Sequence, residues 1–268
     1  MTKIALLALD LDGSLLNSEK NISDKNKAAL KKAQEMGVRI VLTTGRPLKA
    51  IQPFLEELGL ANQADQYSIT FNGGLIQSND GTILDQSLLS YGQVQAIYDV
   101  TESLSLPLDA IQGETVYQIE SDQASIYQSI NPSLNFVGLD FMDLSSQYGY
   151  NKCVSAYEPA ILDAALKKVP EEFFEEFAIF KSRVELLEWC PKDAHKAAGL
   201  EKLCRHLDID KSQVMTLGDE ANDLTMTQWA GIGAVVENAI PELKEVADLL
   251  IPRTNDQDAL AWLIENRL

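Results

Sequence analysis

The sequence predicts an α/β protein: a doubly wound parallel sheet built from both ends of the chain, with a smaller α+β domain inserted between them. Three observations predict it. In the first third, short apolar runs at 4–9, 38–42 and 67–70 alternate with helical patterns, an order that implies parallel strands joined by right-handed crossovers. The middle, 85–190, loses this rhythm and mixes strand and helix signals. The last part, 191–268, regains it.

Each element has a local cause. Ile4-Ala5-Leu6-Leu7-Ala8-Leu9 is too short for a membrane helix and reads as a buried strand, ending abruptly at Asp10-Leu11-Asp12-Gly13. Ser23 is a predicted N-cap for a helix that turns Ala29, Leu30, Ala33 and Met36 inward and stops at Gly37. The β-rich run 38–42 leads into Thr43-Thr44-Gly45-Arg46-Pro47, where Pro47 suits the first turn of a helix ending near Gly59. Tyr67-Ser68-Ile69-Thr70 reads as a third strand and Asn72-Gly73-Gly74 as a turn. In the middle region, helices are expected at 94–104 and 159–169, and strands at 115–119, 152–157, 177–180 and 184–187. Beyond it, a helix carries Leu200, Leu203 and Leu207, a strand at 214–217 runs into Gly218-Asp219, and further strands are expected at 232–236 and 249–251.

Composition narrows the class of partner. The chain has 268 residues, with 40 acidic against 22 basic side chains and a net charge of -18. That balance argues against nucleic acid or an anionic membrane surface, which need a basic face. A phosphorylated small molecule stays open where local cations or a metal reverse the field. Lys3 followed by a six-residue apolar run fits neither a signal peptide nor an anchor, and no apolar run approaches the ~18 residues of a spanning helix. Cys153, Cys190 and Cys204 are odd in number and lack Cys-x-x-Cys spacing, so reduced, packed thiols in a cytoplasmic protein are expected. His195 and His206 have too few partners for a zinc site.

Four segments place reactive residue types just after apolar strands or at helix starts, the edge where ligands bind in an open parallel sheet. Asp10 and Asp12 point the same way if strand geometry persists, and two carboxylates together call for a divalent cation. Taken alone, Asp-Leu-Asp-Gly is equally compatible with a turn. Thr44-Gly45-Arg46 offers a hydroxyl, a permissive backbone and amides near a helix start, which suit a phosphate, although turn chemistry also accounts for it. Lys196 lies near the start of the helix after Pro191. Gly218-Asp219-Glu220-Ala221-Asn222-Asp223 is a further acidic cluster after a strand, placed so that Asp219 and Asp10 can share one metal.

In this order the segments resemble the four motifs of the haloacid dehalogenase (HAD) superfamily of phosphohydrolases: Asp10-Leu11-Asp12-Gly13-Ser14-Leu15-Leu16, Thr44 within Leu42-Thr43-Thr44-Gly45-Arg46-Pro47, Lys196, and Gly218-Asp219-x-x-Asn222-Asp223. Ser14 stands where many relatives have threonine and keeps the hydroxyl. Lys192 is the alternative for the third motif. The insertion resembles the type II cap of the Cof-like subfamily, as do Asn72-Gly73-Gly74 and Asn238-Ala239-Ile240-Pro241-Glu242-Leu243-Lys244. The chain is similar throughout to bacterial sugar phosphatases of the YidA type.

The resemblance implies a Rossmann-like hydrolase core over 1–84 and 191–268 and a specificity cap over 85–190. It implies a magnesium-dependent phosphatase (Mg2+ as cofactor) of small phosphate monoesters, sugar phosphates first, acting through an aspartyl-phosphate. Asp10 would be the nucleophile; Asp12 would be the general acid and then the base, its pKa raised with help from neighbouring carboxylates. Magnesium would be held by the Asp10 side chain, the Asp12 backbone carbonyl and Asp219, with Asp223 one layer behind. Thr44, Lys196 and Asn222 would bind phosphoryl oxygens, with Gly13, Gly45 and Arg46 alongside. Hexose phosphates, erythrose phosphate, pyridoxal phosphate and flavin mononucleotide are all compatible. A phosphotransferase or phosphomutase using the same intermediate is the alternative reading, and a non-catalytic phosphometabolite-binding module a third.

Overall fold

The computed structural model describes residues 3–268. Two compact units divide it: the chain up to Arg46 with Ile51–Asp85 and His195–Leu268, and Pro47–Ala50 with Gln86–Ala194.

The first unit is a sheet with helices between its strands. Its elements are β1 (Leu6–Leu9), α1 (Asp24–Glu35), β2 (Arg39–Thr43), α2 (Leu48–Glu57), β3 (Tyr67–Thr70), β4 (Leu75–Ser78) and β5 (Ile83–Gln86). The inserted unit supplies α3 (Tyr91–Ser103), β6 (Asp109–Gln112), β7 (Thr115–Ile119), α4 (Tyr127–Ile130), β8 (Asn135–Leu139), β9 (Lys152–Ala156), α5 (Pro159–Leu166), α6 (Glu171–Glu176), β10 (Phe177–Arg183) and β11 (Leu186–Pro191). The first unit then resumes with α7 (Lys196–Leu207), β12 (Val214–Gly218), α8 (Leu224–Trp229), β13 (Ile232–Val235), α9 (Pro241–Val246), β14 (Leu249–Leu250) and α10 (Ala259–Arg267).

The larger sheet runs β14-β13-β12-β1-β2-β3-β4-β5. Strand β1 is central, parallel to β12 on one side and to β2 on the other, with Leu6 opposite Val214 and Arg39. Strand order reverses there, which makes the carboxyl end of β1 the switch point where open sheets place their ligands. All four residues of β1 are buried, as a strand covered on both faces requires, so it reads as a continuous apolar run instead of an alternation.

Helix α1 starts where Ser23 accepts the N–H of Asn26 and stops before Gly37, whose φ is +86°. Ala29, Leu30 and Ala33 are buried, but Met36 is 40% exposed. The inward placement expected for Met36 fails because it is the C-cap, beyond the last helical turn. Between β3 and β4 a tight turn holds Phe71 and Asn72 at positive φ (51° and 57°). Gly73 follows in the same turn, and a Cβ there would lie 2.1 Å from the His195 carbonyl oxygen. Only glycine lets this turn approach the start of α7 so closely.

The smaller sheet, β10-β11-β9-β6-β7-β8, packs around a core of Trp189, Tyr150, Phe177, Val94, Ile97 and Leu162. Its last strand begins at Leu186, later than the expected 184, because Val184, 66% exposed, belongs to the hairpin turn. The three cysteines are free and buried. Among the described residues, no helix is long and apolar enough to cross a membrane.

Candidate active site

Asp10 is the first residue past β1, and its N–H donates to the Leu217 carbonyl of β12 (2.9 Å), so the end of one strand is registered on the other. Asp219 holds the matching position after β12. Gly218 makes the following turn close: a Cβ there would stand 2.6 Å from the Asp223 Cβ. Asp223 folds back, its Oδ2 accepting the N–H groups of Asp219 (2.9 Å) and Glu220 (3.1 Å). Lys196, the first residue of α7, is completely buried. Its Nζ lies 2.5 Å from Asp10 Oδ1 and 2.6 Å from Asp223 Oδ1.

Asp10, Asp219 and Asp223 each bring a carboxylate oxygen within 4.8 Å of the others. One ammonium group among three buried carboxylates leaves negative charge in excess. Burial pushes the Asp10 carboxyl up to about 7 against the opposing pull of Lys196. Burial, reinforced by Asp10 and Asp223, pushes Asp219 up to about 8, although Ser14 Oγ donates to its Oδ1 at 2.7 Å. A water-poor, oxygen-only, net negative cluster is a donor set that fits a hard divalent cation, which would take the place of the held protons. Gly13 borders it with φ +81°, and a Cβ there would fall 2.1 Å from Asp219 Oδ2. No other residue fits at that position without displacing the carboxylate.

Asp12 is elsewhere. The strand ends at Leu9, the rule that i and i+2 share a face lapses with it, and the Asp12 carboxylate turns to Arg46 and Lys20. Arg46 grips it with Nε (3.0 Å) and Nη2 (2.6 and 2.7 Å), and Lys20 Nζ lies 2.8 Å from Oδ1. The expected upward shift of Asp12 is therefore corrected. Burial alone would raise it, but Arg46 and Lys20 together outweigh burial and hold it below the usual carboxylate value. The guanidinium of Arg46, expected beside a phosphate, is directed to Asp12 and lies over the Phe54 ring at 5.9 Å.

Thr44 follows β2 and is buried. Its hydroxyl accepts the Arg46 N–H (3.1 Å), leaving the hydroxyl proton for another acceptor. Gly45 and Asn222 converge on Asn72: a Cβ on Gly45 would sit 3.0 Å from Asn72 Oδ1, and Asn222 Nδ2 donates to that oxygen at 3.2 Å. Lys192, the alternative third-motif lysine, donates to the Phe174 carbonyl in the smaller unit. Ser14, read in the first motif for its hydroxyl, serves Asp219, and two residues join the site that sequence reasoning did not place there: Lys20 and Asn72. Only Asn72 carried a usable signal, an asparagine in a turn after a strand, where left-handed backbone is tolerated.

Residues 7–264 match the family model of the haloacid dehalogenase-like hydrolases. YxeH of Bacillus subtilis is 31% identical over 264 residues, covering 97% of this chain and 96% of that one. YcsE of the same organism, a 5-amino-6-(5-phospho-D-ribitylamino)uracil phosphatase, is 28% identical, covering 98% and 95%. The crystal structure of a haloacid dehalogenase-like hydrolase from Bacteroides thetaiotaomicron superimposes with a TM-score of 0.86 at 28% identity, covering 99% of this chain and all of that one. Sequence and fold thus agree from end to end, and the chain belongs to the haloacid dehalogenase-like hydrolases as a phosphatase of the Cof type.

Proposed function

We propose that this phosphatase hydrolyses small phosphate monoesters, sugar phosphates foremost, through an aspartyl-phosphate on Asp10 with magnesium as its metal. The observation that carries the reading is Lys196, wholly buried and bridging Asp10 and Asp223 beside Asp219. A lysine so placed keeps the nucleophile oriented and puts a positive charge where phosphoryl oxygens must gather.

An Asp10 carboxylate oxygen attacks phosphorus, and the bond to the ester oxygen breaks as the alcohol leaves with a proton from Asp12. Water then gives a proton to Asp12 and attacks the phosphorus of the acyl phosphate, which frees phosphate and restores Asp10. In the substrate-free chain Asp12 is ionised and paired, the state suited to taking a proton; donating one requires its pair with Arg46 to loosen and a proton to be taken up from solvent or from the phosphate monoanion as substrate enters. Arg46 is accordingly assigned to Asp12, not to the phosphoryl group. The Thr44 hydroxyl, Lys196 and Asn222, the last oriented by Asn72, would hold the phosphoryl oxygens beside the Gly13 and Gly45 amides. The side chains of Asp10 and Asp219 and the Asp12 carbonyl would hold magnesium, with Asp223 behind them. When bound, the ion supplies positive charge to the transferring group.

Two facts support sugar phosphates: the ester acted on by the similar YcsE is a ribityl phosphate, and a chain of net charge -18 favours small anions over large ones. Residues 85–190 would form the cap that selects among them.

The test is phosphate release from a panel of phosphosugars and phosphorylated cofactors, with magnesium or with EDTA. Magnesium-dependent release with phosphosugars ranked first is expected. Transfer of the phosphoryl group to a second sugar without free phosphate would favour a mutase, and no turnover of any ester would overturn the reading.

A further inference from the structure

The turn after the first motif holds a feature that neither the family resemblance nor the phosphatase activity assigns. Residues 17–21 form a tight turn: Lys20 N–H donates to the Asn17 carbonyl (2.9 Å) and Asn17 N–H to the Asn21 carbonyl (3.0 Å). The Asn17 side-chain oxygen accepts from the N–H groups of Glu19 (3.1 Å) and Asn21 (2.9 Å). Both the N–H and the hydroxyl of Ser18 donate to the Asp256 carboxylate, each at 2.7 Å, and pin the turn to the C-terminal part of the unit. Within it Lys20 has φ +63°. A lysine has no local reason to adopt that left-handed conformation, where glycine or asparagine is the usual occupant. Backbone strain of this kind persists where the surroundings over-determine it, and it concentrates at functional sites.

The strain delivers the ammonium group to one oxygen, Asp12 Oδ1, at 2.8 Å. Lys20 is half exposed, and an ion pair at that exposure contributes little to stability; the turn is held by its own hydrogen bonds, and what the ion pair adds is geometry at Asp12. Arg46 grips Asp12 through a planar fork, which fixes the carboxylate's plane along one direction. Lys20 arrives from a different element on Oδ1, an oxygen that Arg46 Nη2 also holds, so one contact to the carboxylate remains when the Arg46 pair loosens.

We infer that Lys20 is a positioning residue for Asp12, mounted on the 17–21 turn to hold that carboxylate in the orientation from which it exchanges a proton with the leaving alcohol. The inference rests on the reading of Asp12 as the proton carrier.

The experiment measures kcat, KM and the single-turnover rate of ester cleavage for wild type, Lys20→Met, Lys20→Arg and Asp12→Asn. Two substrates are compared with magnesium present: a sugar phosphate, whose alcohol must be protonated to leave, and p-nitrophenyl phosphate, whose phenolate leaves unaided. Misplacing a general acid predicts a loss of about 10- to 100-fold in sugar-phosphate cleavage by Lys20→Met. The KM should stay within about twofold, p-nitrophenyl phosphate should lose markedly less, and Lys20→Arg should recover most of the rate. Wild-type cleavage by Lys20→Met would overturn the inference. A loss confined to KM would do the same by making Lys20 a substrate contact, and an equal loss on both esters with a lowered Tm would reduce the turn to a structural element. If Asp12→Asn itself cleaves the sugar phosphate at the wild-type rate, the proton-carrier reading fails first and the role of Lys20 falls with it.

Discussion

Asp10 and Asp219 are carboxyl groups that the fold removes from water beside a third, Asp223, and burial holds them at about 7 and about 8 against an ordinary 3.8. Above 3.8 the unfolded chain has released protons that the native, metal-free chain still holds. These two groups therefore stabilise the native state at low pH, and the contribution is lost as pH rises through 7 and 8. The melting temperature of the metal-free protein should fall between about pH 5 and pH 8, and magnesium should restore it while displacing protons. Calorimetry in two buffers of different ionisation enthalpy reads that release; a metal-free melting temperature that climbs over the same range would contradict the buried-carboxylate account. These residues were legible because they stand where apolar strands stop. The orientation of Asp12 was not, since its side chain answers to cations at positions 20 and 46 that local spacing does not bring together. Lys20 was hidden for the same reason, in a backbone conformation that lysine does not announce.

At the scale of elements, helix α1 depends on a single side chain for its start. Ser23 Oγ accepts the Asn26 N–H at 3.1 Å and donates to Asp258 at 2.6 Å. Ser23→Ala should cost about 1 kcal/mol of stability with kcat unchanged, read by urea unfolding beside a phosphate-release assay. A changed kcat would mean that α1 acts on the site. The strands bordering the site were legible because burial on both faces makes them unbroken apolar runs. Strands β4, β5, β6 and β8 were not. In β4, Gln77 and Ser78 are buried yet polar: Gln77 Nε2 donates to Thr70 Oγ1 at 3.1 Å and the Ser78 hydroxyl to the Asp80 carboxylate. Contacts to the paired strand and the adjoining turn satisfy such polar groups, and no periodicity reports them. Strands β5 and β8 lie at sheet edges and are largely exposed, so they lack the apolar alternation that marks a half-buried strand.

At the scale of the molecule, the net charge of -18 should act as a filter on what reaches the site. Small phosphate esters lose little in crossing that field, whereas polyanions are repelled along their length. The kcat/KM for a 5′-phosphorylated oligonucleotide should lie about 10- to 1,000-fold below that for a small sugar phosphate at low ionic strength, and the gap should narrow as salt screens the field. Equal values would remove the filter. The central claim, however, is chemical: Asp10 carries the phosphoryl group between the ester and water. The direct measurement is acid quenching during turnover, followed by digestion and mass spectrometry of the peptide that contains Asp10. The account predicts a phosphoryl group on Asp10 itself, labile to hydroxylamine, with Asp10→Asn neither labelled nor turning over. Full turnover with Asp10 unmodified, or a phosphoryl group trapped on any other residue, would contradict it.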